Sequence, residues 1–409
     1  MTAAPPPHGT RWSGVGFGIA LGALAAYAHF KLPPALPAML AEFGYGRLLA
    51  GALMSVFAVA GLALSAPIGR ALSRLGIGRF LAAALALLGA GGAAGLLWPE
   101  GGAVMLAARA LEGVAYAILG VAGAVIVAES ASPRQRPIAL SLYAGWMPYG
   151  QVAAVLVAAA SAGLDPWRGL WLAGIAAAAG LGLWGASLSR RGLLPQPLAP
   201  VGARYGAPAR ASPARRGAIL AGALLYTLWT TQWMAFMTWL PQFLVEAHGL
   251  DLRAAVLGYA VPPAVVIGFN LVGGAALRRG TPLGLLLLPG LALQAAVWLS
   301  MAVVGSGLAG VLALAAYGLG TGLTAVCLFA LPGALAGPGL DIARGFGVLM
   351  TGRNIGVLIG PMLLAEVLER AGDWAAVGPL FAAVALAALA LAAWLARVLS
   401  RLAAPAVSG

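Results

Sequence analysis

The residues best placed to do chemistry in this sequence are the few ionisable side chains that fall inside long apolar runs, where each is costly and therefore a functional candidate. Arg353 stands nine residues after Arg344, about 13 Å along a helix and so near the middle of an apolar layer about 30 Å thick. Its planar fork could grip a carboxylate, with Asn354 as a neighbouring donor. It could equally be a structural arginine bonded to backbone carbonyls. Lys31 is the only lysine and lies four residues after Tyr27, on the same helical face. It precedes Pro33 and Pro34, so it could line a cavity where the helix breaks or reach for the interface. Arg109 and Glu112 are three residues apart and can pair on one face. Burial and a nearby arginine pull a carboxylate's proton affinity in opposite directions, the balance a proton carrier needs; a static ion pair is the other reading.

A second set is aromatic and neutral. Tyr226, Trp229, Gln232, Trp233 and Phe236 share one apolar run, and the spacing of Trp229, Trp233 and Phe236 gives them one helical face. They could stack on a flat or apolar part of a ligand, or simply pack. Tyr317, Thr321 and Asn270 are weaker cavity candidates, and Trp12, Trp98, Trp239 and Trp394 read as interface anchors. The single cysteine, Cys327, and the scattered His8, His29 and His248 cannot assemble a metal site or a disulfide. No nucleophile stands with a base, so no catalytic residue, metal or cofactor is expected and an enzyme is not.

The elements that must position these residues are membrane helices. Of 409 residues 62% are hydrophobic and only 9% charged, whereas soluble domains carry roughly 25% charged residues. Breaks at charged or Pro/Gly-rich points leave twelve candidate spans, near 13–39, 47–68, 79–98, 102–128, 138–162, 169–189, 217–244, 254–276, 281–303, 307–331, 345–368 and 374–398. Alternating the loops puts 17 arginines on the side of the N-terminus and 4 on the other, with 3 basic residues inside spans. That bias makes both termini cytoplasmic in an inner membrane. It also accounts for the net charge of +13 without nucleic acid, which is not expected as a partner.

The Pro- and Arg-rich stretch 190–216 reads as a cytoplasmic linker between six-helix bundles at 1–189 and 217–409. The halves echo one another. Leu36-Pro37 followed by Glu42 recurs as Leu240-Pro241 followed by Glu246, at an offset of 204. The loop from Gly69 to Gly76 recurs from Gly274 to Gly280, at an offset of 205, and Trp167 recurs as Trp374, at an offset of 207. Two parallel repeats with substrate at their interface form a transporter architecture.

Gly69-Arg70-Ala71-Leu72-Ser73-Arg74-Leu75-Gly76-Ile77-Gly78-Arg79 resembles the signature loop of the major facilitator superfamily, with Ser73 where that family usually has Asp. Arg109-Ala110-Leu111-Glu112-Gly113 is similar to its Arg-x-x-polar-Gly motif. Gly352, Gly356 and Gly360-Pro361 resemble the glycine-proline helix of family exchangers, though in the eleventh span instead of the fifth. The resemblance implies an all-α membrane protein of about twelve helices in two pseudo-symmetric bundles, working by alternating access. It assigns Gly69, Ser73, Arg74, Gly76 and Arg79 to a gating loop.

The residues then point to a carrier of a small organic anion, by exchange or with a proton as coupling ion through Glu112 and Arg109. Arg353, Asn354, Lys31, Tyr27, Trp229, Gln232, Trp233 and Tyr317 would bind substrate. The aromatic run supports the alternative, efflux of apolar or cationic compounds. The partners expected are a small-molecule substrate, membrane lipid and a proton, and the chain is expected to act as a monomer.

Overall fold

A computed structural model of the chain describes residues 9–75, 77–161, 165–194, 212–301, 307–336 and 342–403. Their regular structure is helical throughout, because apolar side chains in lipid require every backbone donor and acceptor to be satisfied within its own segment. In the first half the helices are α1 (Trp12–Phe30), α2 (Leu32–Phe43), α3 (Arg47–Leu75), α4 (Ile77–Leu97), α5 (Gly102–Ser130), α6 (Arg136–Ala144), α7 (Trp146–Ala160) and α8 (Pro166–Arg190). In the second they are α9 (Pro213–Glu246), α10 (Leu252–Arg278), α11 (Leu283–Ser300), α12 (Leu308–Leu335), α13 (Ile342–Ala371) and α14 (Val377–Ala403).

Each expected span coincides with a helix or a broken pair. Among the described residues 9 helices are long and apolar enough to cross a bilayer, or 10 if the bent pair α6–α7 is one span. That pair turns by 47° at Gly145. α1 and α2 form one span, Trp12–Phe43, interrupted at Lys31. The interruption has a local cause: Pro33 and Pro34 offer no N–H to the carbonyls four residues back. Of the two expected spans outside that count, α3 has only a short apolar stretch, Arg47–Ala63. α9 is 34 residues long but carries Thr227, Thr230, Thr231, Gln232, Thr238 and Gln242, which dilute its hydropathy.

The structure corrects two expectations. The stretch expected to loop from Gly69 continues as helix to Leu75, so Gly69, Ser73 and Arg74 are helical. Ala71, Leu72, Ser73 and Arg74 are compatible with a helix, and α3 runs on through them. Gly76 lies outside the described residues, as do the side chains of 64–77, and Arg79 sits exposed in the first turn of α4. Trp239, expected as an interface anchor with Trp12, Trp98 and Trp394, is instead 1% exposed and donates its indole N–H to Pro361 O at 3.0 Å.

The described residues form two compact units, one from 1–45 and 59–204, the other from 46–58 and 205–409. In the first, α1 packs on α5 and α7, and α4 on α5 and α8. In the second, α9 packs on α13, and α11 on α12 and α14, so three of these four pairings recur six spans later. The duplication reaches single side chains. Glu42 accepts the Trp167 indole N–H at 2.8 Å, and Glu246 accepts that of Trp374 at 2.8 Å. Gly44 and Gly249, after these glutamates, both hold positive φ, at 60° and 63°, where a Cβ would be strained. The other carboxylate oxygen differs: Glu42 Oε1 pairs with Arg168 at 2.9 Å, whereas Glu246 Oε1 accepts from Gln242 Nε2 at 2.5 Å, and Arg47 lies 3.5 Å from Glu246 Oε2.

Candidate functional site

The first unit holds a wholly buried charge cluster. Lys31 Nζ lies 2.6 Å from Glu112 Oε1, and Arg109 Nη1 lies 2.7 Å from Glu112 Oε2. The three side chains are 1%, 0% and 0% exposed. Lys31 also sits over the Trp171 ring, 4.1 Å from its centroid, a cation–π contact that repays part of the ammonium's lost hydration.

The break in the first span creates this arrangement. Arg109 donates to Ala28 O at 2.6 Å and to His29 O at 3.0 Å. Because Pro33 has no N–H for His29 O, the guanidinium satisfies an acceptor that the helix cannot. The same fork then faces Glu112 one turn along α5, so Arg109 joins the broken helix to the carboxylate. Glycines of α4 admit the acid: a Cβ at Gly91 would lie 2.9 Å from Glu112 Cγ. Tyr27, on the Lys31 face of α1, donates to Leu170 O at 2.6 Å.

The expected Arg109–Glu112 pair is therefore present, and Lys31, assigned from sequence to a different group, is the acid's second partner. His29 stacks with Phe30 and meets Tyr116 edge-on.

The second unit carries a neutral counterpart. Gln232 on α9 accepts from Trp298 Nε1 at 2.6 Å and from the Tyr317 hydroxyl, and donates to Gln294 Oε1. Gln294 in turn donates to Thr324 Oγ1 and Gly290 O, each at 3.1 Å. Aromatic rings wall this network. Trp229 stacks on Trp233, Trp233 on Tyr317, and Phe236 on Tyr317 with centroids 3.7 Å apart. Gln232, Trp233 and Tyr317 thus come together as the sequence suggested, whereas Gln294 and Trp298 were missed. Gln294 had a readable signal, being the single amide in the otherwise apolar α11.

Arg353 and Asn354 lie half-buried on α13, with Arg353 Nη1 donating to Asn354 Oδ1 at 3.2 Å. Outside the spans, burial and then the neighbouring Glu42 push the Tyr45 phenol up to about 12, so it stays protonated and donates to Pro99 O.

A sequence model described as Major Facilitator Superfamily matches residues 15–340. No curated protein matches the chain. Among solved structures, a bacterial homologue of the human lysosomal transporter Spinster, inward-facing and occupied, is similar at a TM-score of 0.70. It is 16% identical, with 98% of this chain and 97% of that one covered. Its unoccupied form gives 0.71 at 15% identity, covering 98% and 96%. A mutant of the nucleoside transporter NupG gives 0.66 at 15% identity, covering 95% and 100%. At such identities the likeness is one of fold.

Proposed function

This chain belongs to the major facilitator superfamily of membrane transporters, and on that premise we propose that it carries a small organic anion across the inner membrane by alternating access, with both termini in the cytoplasm. The observation that carries the anion reading is the buried cluster of the first unit, in which two cations share one acid. A desolvated surplus of positive charge is expensive, and an anionic substrate would neutralise it. Arg353 and Asn354 are assigned as further carboxylate ligands in the second unit.

The same cluster supplies a route to proton coupling. While Glu112 is ionised it competes with a substrate carboxylate for Lys31. A proton on Glu112 ends that competition and leaves two cations for the substrate, so proton and anion favour each other's binding. The residues that release the helix break and the residues that hold charge are then one set.

The stacked rings of Trp229, Trp233, Tyr317 and Phe236 favour a second reading, efflux of apolar or cationic compounds, since a cation is attracted to an aromatic face. A thermal-shift screen of the purified protein separates the two. A ligand at 100 times its Kd stabilises by about 2.7 kcal/mol. Organic acids should raise the melting temperature and lipophilic cations should not; the opposite ranking would favour efflux.

A further inference from the structure

On the first unit a cleft of about 500 Å³ runs between α1, α4 and α8, lined by Phe17, Leu81, Leu85, Ile175 and Leu194. Its mouth opens to the surroundings, because Ala82, Ala86 and Ala179 on its rim are exposed. These helices are apolar spans, so what the rim meets is lipid.

The cleft has a polar end. At that end the lining holds Gly78 on α4, with Arg79 beside it, and Ser189 on α8, with Arg190–Arg191 between it and the last lining residue, Leu194; all three arginines are exposed. No Asp or Glu occurs in α1, α4 or α8 to neutralise them. From that end the lining reaches Gly89 on α4 and Ile175 on α8, about 16 and 21 Å at 1.5 Å per residue. One leaflet of a hydrocarbon core about 30 Å thick is about 15 Å deep. A membrane helix from a partner would have to continue through the other leaflet and would leave the arginines unmatched.

We propose that this cleft seats an acyl chain of an anionic phospholipid whose phosphate lies between Arg79 and Arg190–Arg191. An apolar slot one leaflet deep takes the chain, and the arginines at its polar end take the charge. The site selects for headgroup charge, because a zwitterionic headgroup would bring its own cation to the same arginines. Its deep end comes close to the buried cluster, since a Cβ at Gly92 would meet both Ile175 Cγ1 at 2.9 Å and Glu112 Oε1 at 3.6 Å. The arginines mark the opposite end of the slot, and lipid binding there does not depend on what the protein carries. Arg79 also ends the gating-loop motif, so the test leaves it intact.

Native mass spectrometry of the detergent-purified protein, titrated with phosphatidylglycerol and phosphatidylcholine of equal chain length, tests this directly. The wild type should bind phosphatidylglycerol with a lower Kd. Arg190→Gln/Arg191→Gln should weaken phosphatidylglycerol about 25-fold, at about five-fold per arginine, and leave phosphatidylcholine unchanged. Ala86→Phe fills the slot with every arginine in place and should weaken phosphatidylglycerol at least ten-fold. Ala82→Leu gives the same readout if Ala86→Phe lowers the yield. Equal affinity for the two lipids would overturn the proposal. So would phosphatidylglycerol binding that survives slot filling, since the headgroup would then adhere to surface charge alone. A stable dimer that retains no lipid would assign the cleft to a second copy of this chain and overturn it as well.

Discussion

Lys31 and Glu112 are 81 positions apart and meet at 2.6 Å, so the most consequential contact in the first unit is one that local spacing could not encode. The Arg109–Glu112 pair was legible because i and i+3 face each other on any helix. A contact between spans depends on which helix faces which, and that is decided by packing. Breaking a buried ion pair from one side costs about 3 to 5 kcal/mol, because the partner charge is left desolvated. Lys31→Met removes the surplus cation and leaves Glu112 with Arg109, so its cost should fall near the lower end of that range and anion binding should be lost. Glu112→Gln should abolish uphill, proton-driven uptake in proteoliposomes while substrate exchange continues. Normal accumulation by that variant would make Glu112 a structural anchor of Arg109. At Arg353, Lys keeps the charge but loses the fork. Arg353→Lys should therefore weaken substrate binding modestly, and Arg353→Ala by about 1.5 to 3 kcal/mol in a titration of the purified variants.

Helices in this protein approach each other through glycine. α13 lies against α9 at Gly352, Gly356 and Gly360, and a Cβ at Gly356 would stand 2.5 Å from Thr227 O and 2.8 Å from Thr230 Cβ. The motif was visible in the sequence, but its role as a backbone contact with one particular neighbour was not. Gly347, on the same helix, has nothing within 4 Å of its Cβ position. Gly356→Leu should thus cost about 1 to 3 kcal/mol or more through overpacking, while Gly347→Ala should gain about 0.5 kcal/mol from helix propensity. Thermal unfolding of both variants in detergent compares the two directly, and similar melting temperatures would remove the close-approach account. The duplicated glutamate–indole bonds offer a second comparison at this scale. Trp167 is fully buried and Trp374 is half-buried. Trp167→Phe should cost about 1.5 to 3 kcal/mol, the value of a hydrogen bond to a charged group, and Trp374→Phe less than about 1 kcal/mol.

For the molecule as a whole, membrane class, helical spans and the internal repeat could all be read from composition and spacing, since lipid imposes them on any sequence of this kind. What escaped was the continuation of α3 through the expected loop, whose residues suit a helix as well as a loop, and the grouping of residues 46–58 with the second unit, which rests on contacts distant in the chain. The proposed orientation rests on the 17 to 4 split of loop arginines. With Cys327 replaced by Ala, a cysteine at Gly163 should react with an impermeant thiol reagent added to whole cells and one at Ala207 should not; the reverse would invert the topology. The claim on which the rest depends is that the cluster of Lys31, Arg109 and Glu112 serves the transport of an organic anion. Uptake of labelled mono- and dicarboxylates into proteoliposomes under an inward proton gradient measures this most directly. At least one carboxylate should accumulate above its equilibrium level, a protonophore should collapse the accumulation, and Lys31→Met should abolish it. Transport of lipophilic cations with no movement of any carboxylate would contradict the claim.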